Sequence, residues 1–151
     1  MKVPRLSALL LSLASIGCLD PNHGVLAYKD TAAPSVVSTI PPAMGTISRT
    51  TAISITFSEA MDTRSLGAGI QVSKAGAPVP LVLGVPPPDQ LPQTSENVDV
   101  PYTVSATPVS GTFEPSVGTA FDYTLVLSTL LTDEAGNALA AEVRIRFSVT
   151  P

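Results

Sequence analysis

The chain has 151 residues, with 8 basic and 12 acidic side chains and a formal net charge of −4. This length suits a single domain, and the acidic balance argues against a nucleic-acid-binding protein, which would need a basic surface. A single cysteine and a single histidine exclude an internal disulfide and a zinc site built from Cys and His.

Residues 1–17 have the pattern of a secretory signal peptide. Lys2 and Arg5 form a short basic start, and an uncharged, mostly apolar run follows from Leu6 to Ile16. A helix of that length spans about 16 Å, which is roughly half the hydrocarbon core of a bilayer. We therefore expect a cleaved signal and no transmembrane helix in this segment.

The end of the apolar run, Ser15-Ile16-Gly17-Cys18, resembles the lipobox of bacterial lipoproteins, although that family usually has Leu where Ser15 stands. The resemblance implies cleavage before Cys18 and lipidation of Cys18 by acyl chains such as palmitate, which together hold a protein durably on a bilayer. The alternative is an ordinary signal peptide with a coincidental cysteine. Leu19, and not Asp, follows the cysteine, which by the same resemblance favours the outer membrane over the inner one.

Residues 18–32 show neither helical nor strand periodicity and include Pro21, Asn22 and Gly24. We interpret them as a flexible tether. His23, the only histidine, lies in this tether, and a catalytic triad needs a base that is fixed against its nucleophile. We therefore predict that the protein is not an enzyme and uses no cofactor or small-molecule substrate.

From Ala33 onward, short runs of alternating apolar and polar residues are separated by turn residues, which predicts an antiparallel β-sandwich. The clearest run, Ala52–Phe57, alternates strictly. Residues 58–66 break the alternation and predict a helical turn that crosses between the sheets. Further strands are predicted over Ser35–Ile40, Ile70–Ser73, Pro80–Val85, Tyr102–Thr107, Phe121–Leu127 and Val143–Val149.

Several motifs occur along this body in an order that is typical of one known family. They are Pro34–Ala43, Ile55–Asp62, Asp133–Leu139 and the closing Ile145–Phe147. Together they resemble the bacterial Ig-like domain first described in S-layer proteins, over about residues 33–150. The resemblance implies an all-β fold, an Ig-like Greek-key β-sandwich of about seven to eight antiparallel strands. It also implies a non-enzymatic cell-envelope module that acts as a structural spacer or protein-contact domain.

The polar residues of these motifs have a structural interpretation that we favour. Ser58 and Asp62 are suited to accept backbone N–H bonds in the crossing turn. Asp133 suits an Asx-type turn in which Gly136 or Asn137 adopts positive φ. This interpretation needs no catalytic residue and no metal.

The alternative interpretation is a calcium site at one end of the sandwich, because Ca²⁺ takes six to eight oxygen ligands. Its candidate ligands are Glu59, Asp62, Asp133 and Glu134. In that case the protein is a calcium-dependent binding or adhesion module. A glycosidase pair using Glu59 is disfavoured, because the chain has no Trp to serve as a sugar platform.

Residues 86–101 are rich in proline, which cannot donate in a β-ladder, and we interpret them as a long solvated loop. Their functional alternative is a contact surface for another envelope protein, since binding residues often lie on loops. Tyr123, at the head of a late strand, resembles the tyrosine corner of Ig-like domains. The expected partners are therefore the membrane, through the lipid anchor, and in this alternative another envelope protein.

Overall fold

The computed structural model describes residues 30–86, 100–118 and 120–151. The signal peptide predicted over residues 1–17, Cys18 and the tether as far as residue 29 lie outside the described residues. Residues 87–99 of the proline-rich segment also lie outside them.

Two sheets packed face to face make up the described part of the chain. The sheet order is β1-β3-β7-β6 in the four-stranded sheet and β2-β9-β8-β4-β5 in the five-stranded sheet. The elements are β1 (Val36–Ile40), β2 (Gly45–Ser48), β3 (Ile53–Phe57), α1 (Thr63–Gly69), β4 (Ile70–Lys74), β5 (Ala77–Val79), β6 (Leu81–Gly84), β7 (Tyr102–Pro108), β8 (Tyr123–Leu127) and β9 (Val143–Thr150). The predicted all-β sandwich is confirmed, with nine strands in the described residues where about seven to eight antiparallel strands were expected.

The core lies between the sheets and follows from the alternation of apolar residues along the central strands. Ile53, Ile55 and Phe57 of β3 are completely buried, and the residues between them are half-buried. Strands β7, β8 and β9 alternate in the same way. Because successive side chains of a strand point to opposite faces, this period-two pattern determines which face each strand turns to the core.

Two strands of the described residues were not predicted from the sequence, β2 and β5. Strand β2 has four residues and pairs in parallel with β9, nearly one hundred residues away, whereas every other strand pair is antiparallel. Strand β5 has three residues, including Pro78, and pairs with β4. Both are too short to show a local alternation. Strand β2 is defined by its distant partner, whereas β5 forms a hairpin with β4 across Ala75 and Gly76, both at positive φ.

The predicted crossing turn is the segment that carries the chain from β3 in one sheet to β4 in the other, and it contains α1. Ser35 N–H donates to Ser58 Oγ at 3.0 Å, and Arg64 N–H donates to Asp62 Oδ1 at 3.0 Å, so Asp62 is the N-cap of α1. The expected role of Asp62 is therefore confirmed, whereas Ser58 accepts from Ser35, which lies before β1 and outside the crossing turn. Within the described ranges, no helix is long and apolar enough to span a membrane.

An aromatic cluster fills the opposite end of the core from Asp133. The rings of Tyr123 and Phe147 stack with centroids 5.1 Å apart, and Phe113 packs edge-on against both. Tyr123 Oη donates to the Glu114 carbonyl at 2.7 Å, as expected for a tyrosine corner. Burial raises the pKa of the Tyr123 phenol, so it stays a hydrogen-bond donor at neutral pH.

The described chain enters the sandwich at one end and leaves it at the other. Strand β1 begins beside the last residue of β3, where Val36 pairs with Phe57. Strand β9 ends beside the residues that precede β3, where Arg49 N–H donates to the Thr150 carbonyl at 3.0 Å. We call the end where the chain enters the Asp133 end and the end where it leaves the Tyr123 end. Tyr123 is the first residue of β8, and Asp133 lies in the turn that follows β8.

Candidate functional site

The candidate site lies at the Asp133 end, where the segment between β3 and α1 meets the turn after β8. Met61 and Asp133 form an antiparallel bridge, and Asp62 N–H donates to the Thr132 carbonyl at 2.9 Å. These bonds join the two sheets through their loops. The side chains of both loops are therefore held at one end of the core.

Asp133 is the central residue of this site, with only 2% of its surface exposed. Its Oδ1 accepts the main-chain N–H of Asn137 at 2.8 Å, and its Oδ2 accepts the side-chain amide of Asn137 at 2.8 Å. The turn between them includes Gly136 at φ +90°, a left-handed conformation that glycine adopts without steric cost. The predicted turn with a left-handed Gly136 is confirmed, but the Asp133 carboxylate accepts from the residue four positions on, and not two positions on as in an Asx turn. Two main-chain bonds close the same turn: Asp133 N–H donates to the Asn137 carbonyl at 3.0 Å, and Gly136 N–H donates to the Asp133 carbonyl at 3.2 Å.

The same amide attaches the start of the described chain to the turn. Asn137 Nδ2 also donates to the Asp30 carbonyl at 3.3 Å, across 107 residues of sequence. Asp30 Oδ1 in turn accepts the N–H of Ala32 at 2.9 Å. The segment that leads into the sandwich is therefore held to the Asp133 turn at Asp30.

Three carboxylates converge as a result. Asp30, Glu59 and Asp133 each offer an oxygen, and these oxygens lie within 4.8 Å of one another. Asp30 and Glu59 are half-buried, and Asp133 is buried. Such a set of hard oxygen donors suits a divalent cation of the calcium type, although Ca²⁺ takes six to eight oxygens in all.

Only two of the four calcium candidates predicted from the sequence belong to this cluster, Glu59 and Asp133. Asp62 instead caps α1 and binds the Arg64 guanidinium, with Nη2 and Oδ2 2.9 Å apart. These hydrogen bonds hold the pKa of the Asp62 carboxyl below its usual range. Glu134 is exposed and faces Tyr102, whose pKa is raised by burial and by this carboxylate.

Asp30 is the cluster member that sequence reasoning missed. It lies in the segment interpreted as a tether, far in sequence from the motifs that contain Glu59 and Asp133. No local pattern marks such a residue, because only the folded path of the chain brings it to the Asp133 turn. The predicted lipidation residue, Cys18, lies outside the described part of the chain.

Comparisons with known proteins bear on the identity of this sandwich. No curated protein matches the chain. A crystal structure of the S-layer protein rSbsC is similar with a TM-score of 0.46 and 18% sequence identity, over 79% of this chain and 14% of that one. A likeness this distant carries no argument about function. Residues 30–149 match the bacterial Ig-like domain family, and because this match covers almost the whole sandwich, the chain belongs to that family.

Proposed function

We propose that the protein is a non-enzymatic cell-envelope lipoprotein whose Ig-like module acts as a structural spacer or protein-contact domain. The observation that carries this proposal is the path of the chain, which enters at the Asp133 end and leaves at the Tyr123 end. A module with that path extends the chain in line. Strand β9, with eight residues, corresponds to about 25 Å of added reach.

The anchor in this proposal is a lipid group on Cys18 that holds the protein on a membrane, with the outer membrane favoured over the inner one. This part of the proposal rests on the sequence alone. Cys18 is the only cysteine, and it stands where the lipobox pattern needs it. The spacer role requires such an anchor on the side of the Asp133 end, which is the side from which residues 1–29 lead into the sandwich.

The anchor is tested by growing the producing bacterium with labelled palmitate. We expect label in the wild-type protein and none in Cys18→Ala, whose body should leave the membrane fraction. Ser15→Leu, which keeps the cysteine and brings the sequence closer to the lipobox, is the matched control and should stay labelled. Label that persists in Cys18→Ala would refute lipidation at this residue.

The contact role is tested on residues 86–101, which are unusually rich in proline and are predicted from the sequence to form a loop. The segment 86–100 is replaced by Gly and Ser, and proteins that cross-link to the full-length protein in intact cells are compared with those of the wild type. Loss of one specific envelope protein would support a contact through this segment. An unchanged set of cross-linked proteins would leave the spacer role alone.

A second candidate function, a calcium-dependent binding or adhesion module, is favoured by the convergence of Asp30, Glu59 and Asp133. A cation there would neutralise carboxylates that otherwise repel one another, and it would fasten the leading segment to the sandwich. Both Asp133 oxygens already accept bonds from Asn137, so they would have to serve the cation through their remaining lone pairs.

This candidate predicts that millimolar Ca²⁺ raises the melting temperature, because a ligand that binds only the folded state stabilises it by mass action. EDTA should reverse the gain, and Glu59→Gln should remove it. Glu134→Gln, which changes an acidic residue outside the cluster, is the control and should keep the gain. A wild-type melting temperature that is the same in Ca²⁺ and in EDTA would refute calcium binding.

A further inference from the structure

In the part of the chain that the structure describes, the sandwich is open along the side where the chain changes sheets. Strands β5 and β6 are one extended run that passes at Pro80 from the five-stranded to the four-stranded sheet. Strand β5 pairs with β4 only from Val72 to Lys74, so among the residues that the structure describes no strand lies beside the first residues of β4 on that side. The edges of the two sheets therefore face each other across a gap.

Beside these edges lies a cleft with a volume of about 500 Å³, in which aliphatic side chains are joined by the polar Gln71 and Ser73. Its walls include Ile70 and Val72 of β4 together with Val79, Leu81 and Leu83 from the run that changes sheets. Val79, Leu81 and Leu83 point toward the core but remain half-buried, whereas core residues of the central strands are buried. None of the residues that line the cleft is charged.

The edge strand beside the cleft, β6, has main-chain groups available for a further strand. Val109 N–H donates to the Pro80 carbonyl at 3.0 Å. Since hydrogen-bonded positions alternate in an antiparallel ladder, Val82 turns its main-chain groups toward β7, and Leu81 and Leu83 turn theirs outward. In the described residues no strand lies on that outer side.

Two other sheet edges are protected against pairing. Strand β1, the opposite edge of the same sheet, has an irregular register between Val36 and Ser38. Strand β5 contains Pro78, which lacks an N–H. Short length, bulges and prolines are means by which edge strands avoid adding a neighbour. Strand β6 is short, but its four residues include neither a bulge nor a proline.

We propose that β6 pairs antiparallel with β6 of a second copy of this chain, around a two-fold axis at Val82. The two four-stranded sheets then form one continuous eight-stranded sheet. Leu81 of each copy lies opposite Leu83 of the other, and the added strand covers the mouth of the cleft with apolar side chains. The proposal does not depend on the lipid anchor or on calcium.

A second copy fits this edge better than an unrelated strand for two reasons. An antiparallel edge is self-complementary under a two-fold axis. The N–H and C=O groups of Leu81 in one copy therefore lie opposite the C=O and N–H groups of Leu83 in the other. The surface is also uncharged, so two copies that each carry a net charge of −4 meet there without direct repulsion.

Disulfide trapping tests the pairing in the bacterium that makes the protein. In a non-hydrogen-bonded antiparallel pair the Cα atoms lie about 4.5 Å apart, which a disulfide can bridge. We expect Val82→Cys to give more covalent dimer after oxidation with diamide than wild type, whose only cysteine is Cys18. Val37→Cys is the matched control, because Val37 is 59% exposed on the other edge of the same sheet and Val82 is 55% exposed. A monomer at Val82→Cys, or equal dimer yields at both positions, would overturn the proposal.

Sedimentation of the purified full-length protein in mild detergent gives a second, non-covalent measurement. We expect a wild-type dimer that dissociates at least tenfold more readily with Val82→Lys, because lysine on an edge opposes pairing, and not with Val37→Lys. A wild type that is monomeric throughout would overturn the proposal. If that monomer became a dimer when residues 87–99 were replaced by Gly and Ser, the edge would instead belong to that segment.

Discussion

Replacing Asp133 by alanine should destabilise the sandwich more than its place in a loop suggests. The substitution removes both acceptors of Asn137, each at 2.8 Å, and leaves a main-chain N–H without its partner. A hydrogen bond to a charged group contributes about 1.5–3 kcal/mol, and a stranded donor costs about 1–3 kcal/mol. Relief of repulsion from Asp30 and Glu59 offsets part of this loss. We expect the free energy of unfolding to fall by about 2–4 kcal/mol.

Urea unfolding in EDTA measures this loss without interference from any divalent cation. Glu134→Ala is the control. Glu134 is the next residue and is exposed, so removing its side chain should change the free energy of unfolding by less than about 0.5 kcal/mol. Asp133→Asn keeps an acceptor for the main-chain N–H and should fall between the two. A loss at Asp133→Ala as small as that at Glu134→Ala would refute the assignment of turn closure to the buried carboxylate.

Three further predictions concern the core, the sheet crossing and the helix cap. Phe147→Ala should cost about 3–5 kcal/mol in urea unfolding, because the ring is completely buried; a loss below about 1 kcal/mol would contradict this. Gly69→Ala should cost about 1–3 kcal/mol and lower the melting temperature, because its Cβ would lie 2.4 Å from Leu131 Cγ; an unchanged melt would contradict it. The hydrogen bonds of Asp62 to Arg64 stabilise the folded protein above the ordinary carboxyl pKa of 3.8, and this stabilisation is lost as the pH falls through the lowered pKa of Asp62. The free energy of unfolding of Asp62→Asn should therefore depend less on acid pH than that of wild type, and parallel pH profiles would contradict this.

The sequence predicts the central strands well because their burial repeats every second residue. Phe57 and Phe147 end or fall within runs of strict alternation, and both are completely buried in the structure. The tight turns are also predictable, since the roles of Asp62 and Asp133 depend on partners two to four residues away. Local chemistry is sufficient wherever the partners are local.

Much of what the sequence does not reveal depends on partners that are distant along the chain. Strand β2 is defined by pairing with β9, and Asp30 lies beside Asn137, which donates to its carbonyl across 107 residues of sequence. Which acidic residues belong to the cluster is also visible only in the structure. Asp62 looks like a cation ligand in sequence, but its position at the start of α1 commits it to the helix and to Arg64.

The parallel pairing of β2 with β9 has a mechanical consequence. When tension pulls the leading segment away from the Asp133 end and β9 away from the Tyr123 end, β2 and β9 are drawn in opposite directions along their common axis. Their four registered pairs, from Gly45 with Phe147 to Ser48 with Thr150, are then loaded together in shear, and none can open before its neighbours. The antiparallel pairing of β1 with β3 is loaded lengthwise in the same way. Stretched between its two ends in a single-molecule experiment, the sandwich should therefore yield in one abrupt step, and a staircase of small extensions would show that its strands peel apart one by one.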